Sequence, residues 1–200
     1  PHLKCGIVAQ DKQAASEIFR TKIAVPFDHL PDWLRASFTI VERRSGASGG
    51  YILFGHGSSI QVATSFRSGT VQRLHISEHG KICAKYPAKA KELRTGTLNA
   101  VSDECIIFDE STAEGVGGDF YEMSNRAQEI TASGLALTPQ DYKFHFYAWW
   151  QDLKYSARVP ESGLKLSQEK TAYFSAVEKA MNITLTDEQK HWRSEERRVG

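Results

Sequence analysis

Cysteine is scarce in this chain, three residues in 200. Cys5, Cys83 and Cys105 are odd in number, far apart and without CxxC spacing, so neither a disulfide framework nor a zinc knuckle is implied, and a reducing compartment fits best. Long apolar runs are missing too. No stretch approaches the roughly 18 residues that span a bilayer, and the first residues carry no charged-then-apolar signal segment, so an intracellular protein without a membrane partner is expected. An excess of one charge is also lacking: the net charge of +1 gives no global pull toward nucleic acid or membrane. Any polyanion contact must then come from local clusters, such as Arg67 with Arg73 or the run Lys81, Lys85, Lys89, Lys91, and lysines at helical spacing usually mark a solvated face. There is no GxSxG elbow, and the Ser, His and Asp residues offer no order that singles out a catalytic triad. A GxxxxGK[ST] loop, which would cradle phosphates, is found nowhere. The chain starts on Pro1 and enters an apolar run almost at once, so an internal fragment of a larger domain is expected, with 194–200 (SEERRVG) read as a non-native tail.

What is present describes a globular α/β chain. Apolar content of 40% and charged content of 24% suit one domain of ordinary size or most of a larger one. Residues 3–9 (LKCGIVA) read as a buried strand of a parallel sheet. Asp11 caps a helix over 11–24 whose apolar residues Ala14, Ala15, Ile18, Phe19 and Ile23 fall at near-helical spacing, giving a strand, tight turn and helix in the order of a βα unit. Pro26 and Pro31, with Phe27 and Trp33, break the pattern into a packed connection. Residues 38–42, 51–54 and 59–63 are strand-like. The glycine-rich 45–50 (SGASGG) between the first two reads as a hairpin turn rather than a phosphate cradle, because it does not open a helix. Residues 54–58 form a second reversal, adding a small antiparallel element to the sheet. Further helices are expected over 80–93, interrupted at Pro87, over 119–132, over Gln168–Met181 and from Thr186 to Trp192. The alternating aromatic run 143–150 (KFHFYAWW) is expected to be a last strand of the sheet.

Two strand tips carry the chemistry. Residues 63–78 (ATSFRSGTVQRLHISE) contain a turn with Arg67 and Gly69, then an apolar strand over 71–76 that ends on Ser77 and Glu78. In open α/β sheets the ligand lies beyond the carboxyl ends of the strands, so Glu78 is placed to meet a substrate or a metal-bound phosphate. The plainer alternative is that Glu78 only caps the following helix. A second short apolar run, 105–108 (CIIF), releases Asp109, Glu110, Ser111, Thr112, Ala113 and Glu114 in the same manner, and two such tips in tandem suggest a site. His75, Glu78 and His79 also spell HxxEH, a zinc peptidase signature. That chemistry needs both histidines on one helix face, whereas on a strand they would stand about 13 Å apart at about 3.3 Å per residue. Phosphoryl transfer is the better fit, since it asks for a Glu to orient water, a polar residue near Mg²⁺, an Arg for developing charge and a second tip that senses the γ-phosphate.

Taken in order and spacing, RSGTVQRLHISEHGKI, IIFDESTAEGVGGDFYE and KFHFYAWWQDLKY resemble the ATPase domain of the large subunit of tailed-phage terminase, the DNA-packaging motor. The resemblance runs over most of residues 3–192. It implies a partial P-loop NTPase sheet of the RecA-like (ASCE) kind with flanking helices, lacking its first strand and Walker A loop. Residues 1–150 would be the truncated ATPase domain and 151–193 linker helices toward a nuclease domain. Glu78 matches the second Walker B acid, which polarises the attacking water. Ser77 stands where most family members have Asp, so Mg²⁺ would be held there through a hydroxyl or water, together with Glu78. Ser111, Thr112 and Ala113 match the coupling motif at the nucleotide, and Arg67 matches a finger that reaches a neighbouring subunit's nucleotide. The implied cofactors are ATP and Mg²⁺. The implied partners are double-stranded DNA, the portal protein, the terminase small subunit and further copies of the chain in a ring, in the host cytoplasm and transiently at the procapsid portal. Without a Walker A loop these residues alone are expected to be inactive. The rival expectations are a non-catalytic interaction module on the same fold, supported by Ser77, and the HxxEH metallopeptidase.

Overall fold

A computed structural model describes residues 2–66, 71–98 and 101–196. It contains two compact units, Pro1–Phe144 and His145–Gly200. The first is built on a six-stranded mixed sheet: β1 (Lys4–Val8), β2 (Ile40–Gly46), β3 (Gly49–Phe54), β4 (Ser59–Ala63), β5 (Val71–Ser77) and β6 (Val101–Glu110), in the order β2-β3-β4-β1-β5-β6. β1 pairs in parallel with β4 and β5, and β5 in parallel with β6, while β2, β3 and β4 are joined antiparallel. The expected α/β class and the antiparallel addition are both present, in an arrangement compatible with Rossmann- or RecA-like sheets.

The local chemistry explains the elements. Asp11 accepts a hydrogen bond from the Ala14 N–H at 2.8 Å and so starts α1 (Lys12–Ile18). The helix widens into a π-turn over Phe19–Ala24, then passes into two single-turn helices, α2 (Val25–Asp28) and α3 (Asp32–Arg35), placed at Pro26 and after Pro31. The glycine-rich turn is a hairpin, with Ser45 opposite Gly50 and Gly46 opposite Gly49. Beyond β5 lie α4 (His79–Lys85) and α5 (Pro87–Glu92), and the helix restarts at Pro87, which has no N–H to donate and tolerates a first-turn position. After β6 comes α6 (Asp119–Ser133), ended by Gly134 at φ 69°.

Alternation along the strands sends side chains to two cores on opposite faces. Ala15 and Phe19 cover Ala9, Ile52 and Val62 on one face. On the other, Val8, Leu74 and Ile76 pack with Ile82, Ala90 and Leu93 from the stretch that follows β5. Leu74, Ile76, Ile82 and Leu93 are fully buried, and each such side chain contributes about 1.5–3 kcal/mol. Adjacent parallel strands β1 and β5 are thus followed by helices on opposite faces, the arrangement that opens a crevice at the carboxyl ends of a sheet.

The expectation of a strand over 143–150 is wrong. Among the described residues no ladder forms there, and Trp149–Gln151 is a 3-10 turn. Alternating aromatics satisfy a strand only if a partner edge is available. Here the rings instead make a cluster of their own in the second unit, with Trp149 5.8 Å and Tyr155 4.7 Å from Trp192. That unit also holds α7 (Gln168–Met181), capped by Ser167, and α8 (Asp187–Glu196), with Phe174 and Leu185 buried. No helix among the described residues is long and apolar enough to cross a membrane.

Candidate functional site

The parallel register of β5 and β6 sets Ile76 opposite Asp109 and Ser77 opposite Glu110, so the two strands end side by side. Between the last residue of β5 and the first of α4 stands Glu78, at φ 58° and ψ 44°. Glu78 and Asn182 are the non-glycine residues with positive φ among those described. A left-handed backbone costs a non-glycine residue roughly 1–2 kcal/mol, so its neighbours must impose it.

Glu78 occupies the N-cap position of α4, yet its side chain makes no capping bond. Its carboxylate turns to the other tip, where Thr112 Oγ1 donates to Oε2 at 3.2 Å. Lys81 Nζ lies 3.8 Å from the same oxygen. The plain capping role therefore does not describe this carboxylate. Ser111 Oγ donates to the Thr112 carbonyl at 2.8 Å, and the approach of 111–112 to α4 is close enough that a Cβ on Gly80 would sit 2.9 Å from Ser111 Oγ. Ala113 follows, exposed. Ser77, Glu78, Ser111 and Thr112 are thus gathered at one sheet edge, whereas Arg67 lies outside the described residues.

Sequence reasoning placed Asp109 and Glu110 in the polar cluster of the second tip but assigned neither a role; these consecutive residues point to opposite faces. The Glu110 carboxylate accepts from His75 Nε2 at 3.2 Å, and the Ser77 hydroxyl and Glu78 backbone N–H nearby help to stabilise its charge. The His75 bond foremost holds its pKa below the ordinary glutamate value, burial opposing, so it is a carboxylate at neutral pH. Asp109 faces the α4 side, where His79 Nδ1 donates to both its oxygens, at 2.9 and 3.1 Å. The side chains of His79 and Asp109 are 2% and 5% exposed, and the His79 ring meets Phe120 edge-on. The available signal was the two-residue period of any strand, which puts the consecutive Asp109 and Glu110 on different faces, together with the i, i+4 spacing of the histidines.

This geometry also bears on the HxxEH reading. His75 and His79 bond to different carboxylates, one exposed and one buried, and among the described residues no group of three or more His, Cys, Asp or Glu could hold a metal ion. What the site offers is oxygen: the Ser77 hydroxyl and the Glu78 and Glu110 carboxylates, a donor set of the kind that suits Mg²⁺ through its water shell. A second feature of the same sheet edge is Lys89, whose ammonium donates to the Ala9 and Gln10 carbonyls at 2.6 and 2.8 Å beyond the end of β1, with its pKa lowered by burial. Compared with protein-family models, with curated proteins and with solved structures, the chain gives no match.

Proposed function

We propose that these residues are part of the ATP-driven DNA-packaging motor of a tailed phage, the large subunit of terminase, and that the β5 and β6 tips form the hydrolytic half of its nucleotide site. The observation that carries the reading is the bond from Thr112 to Glu78. It joins the acid that would orient the attacking water to the hydroxyl tip that would sense the γ-phosphate, which is the link a motor needs between hydrolysis and movement.

In this reading Glu78 accepts a proton-bearing contact from the attacking water and aligns it. Ser77 and the ionised Glu110 beside it would hold Mg²⁺ through its water shell, with Glu110 supplying the charge that Ser77 lacks. Bound Mg²⁺ would neutralise charge building on the phosphate oxygens. Ser111, Thr112 and Ala113 report loss of the γ-phosphate, and Arg67 acts on a neighbouring subunit's nucleotide. A strand and phosphate-cradling loop outside these residues would complete the pocket. The side of β6 away from β5 has no strand partner among the described residues, and Ile106 and Phe108 are exposed on that strand. Double-stranded DNA, the portal, the small subunit and a ring of like subunits are the partners of such a motor in the host cytoplasm.

One observation favours a second reading, a non-catalytic interaction module: Ser77 replaces the expected Asp, and Lys81 already sits by the Glu78 carboxylate. Two measurements test these readings, the second of which separates them. Titration of MgATP onto the 200-residue chain is expected to show no micromolar binding, because the backbone donors and lysine of a phosphate loop are missing. Extending the reading frame upstream is expected to reveal GxxxxGK[ST], and Glu78→Gln in that longer protein should abolish DNA-stimulated ATP hydrolysis. An upstream sequence without the loop would favour the module and overturn the motor.

A further inference from the structure

We infer that His79 is a positioning residue: through Asp109 it holds the β5–α4 junction so that Glu78 stays left-handed with its carboxylate against Thr112. The functional consequence rests on the reading of Glu78 as the water-orienting acid, while the geometry stands without it.

Glu78 is flanked by two anchored residues. On one side Ser77 is paired with Glu110 in the β5–β6 register, with its hydroxyl and the Glu78 N–H close enough to the Glu110 carboxylate to help lower its pKa. On the other, His79 is tied to Asp109, the residue just before Glu110 on β6. With its neighbours pinned to consecutive positions of one strand that face opposite ways, the chain must reverse direction within a single residue. A left-handed turn at Glu78 does this. Thr112 follows two residues beyond Glu110, just past the end of β6, so the anchor and the contact made by the Glu78 carboxylate lie on one short continuous segment. His79 would be an odd choice as a mere space-filler, because Nε2 is buried without a hydrogen-bond partner. Leaving a buried nitrogen unpaired costs about 1–3 kcal/mol, a cost that a phenylalanine ring packed against Phe120 would not carry. What phenylalanine cannot supply is the bond to Asp109.

The test is NMR spectroscopy of the full 200-residue chain labelled with ¹³C and ¹⁵N, without nucleotide. In the wild-type chain the His79 ring is expected to carry its proton on Nδ1. Glu78 should show the short amide-to-Hα distance and the carbon shifts of a positive φ, with a cross-peak between its side chain and Thr112. His79→Phe should lose the left-handed signature and that cross-peak while the amide pattern of β1 and β5 stays unchanged. Asp109→Asn, which keeps an acceptor oxygen, should retain both. The inference is overturned by a proton on Nε2 in the wild-type chain, by an intact Glu78 signature in His79→Phe, or by its loss in Asp109→Asn. Should His79→Phe fail to fold, the wild-type tautomer and the Asp109→Asn spectrum decide. No arm contains ATP, so an absent nucleotide site in the longer protein would sink the motor reading and leave this one standing.

Discussion

Two histidine–carboxylate pairs join the β5–α4 stretch to β6, and they differ in almost everything except chemistry. His75 meets Glu110 on an open face, with side chains 40% and 52% exposed. His79 meets Asp109 where neither side chain is more than 5% exposed. The five residues HISEH thus deliver one ring to water and one to the core, because a strand ends and a helix begins between them. Water screens the first pair and can replace either partner, so its value is local geometry, namely where Ser77 and the Glu78 N–H are held. The second pair has no such replacement, and removing one partner strands the other.

The largest expected effect breaks the buried pair. Asp109→Ala should lower stability by about 3 kcal/mol in urea unfolding, since it leaves the His79 ring buried with neither nitrogen bonded. A loss below about 1 kcal/mol would show the two pairs to be equivalent. Gly80→Ala comes next, because its Cβ would stand 2.9 Å from Ser111 Oγ and 3.3 Å from the Thr112 carbonyl. It should cost about 1–2 kcal/mol and separate the 111–112 segment from α4, seen as weakened amide protection at 111–112 with β1 unaffected. On the exposed side, His75→Ala should cost less than about 1 kcal/mol in the same urea unfolding, well below the Asp109→Ala loss.

The pH dependence sharpens the contrast further. Glu110 has a folded pKa below its ordinary value of 4.5, so its stabilising contribution is present above that value and is lost as pH falls through the lower, folded one. Glu110→Gln should flatten the stability profile in that acid window and nowhere else. The smallest effect is at the alkaline end. Burial pushes the Tyr142 hydroxyl up to about 12, with Asp109 and Cys105 adding to the shift, so phenolate absorbance should appear late and stability should decline as pH rises from the ordinary 10 toward that value. Tyr142→Phe should remove both changes, and an unshifted titration would show that Tyr142 is not held against β6.

The strands and helices were legible because their signals are local. Leu3 to Ala9 needs only its apolar run to read as a buried strand, Asp11 only its place before an apolar stripe to read as a cap, and Pro87 only its missing N–H to read as a break. The run 143–150 was misread because alternation reports a two-faced segment and says nothing about a partner edge. Glu78 and Thr112 were paired by the order of the two tips in the sequence, but the direction of the Glu78 carboxylate, away from the cap and toward Thr112, was not legible.

By itself, then, the amino-acid order determined that β5 and β6 exist and that each ends in polar residues, since period and punctuation are properties of neighbouring residues. Only the tertiary structure decided the register that sets Ile76 against Asp109 and Ser77 against Glu110. Register is a contest among long-range pairings, settled by which faces can be buried together. From it follow the acids that the sequence left as an undifferentiated cluster: one anchors a histidine in the core, the other meets His75 on the open face beside Ser77, and between them lies the left-handed turn at Glu78.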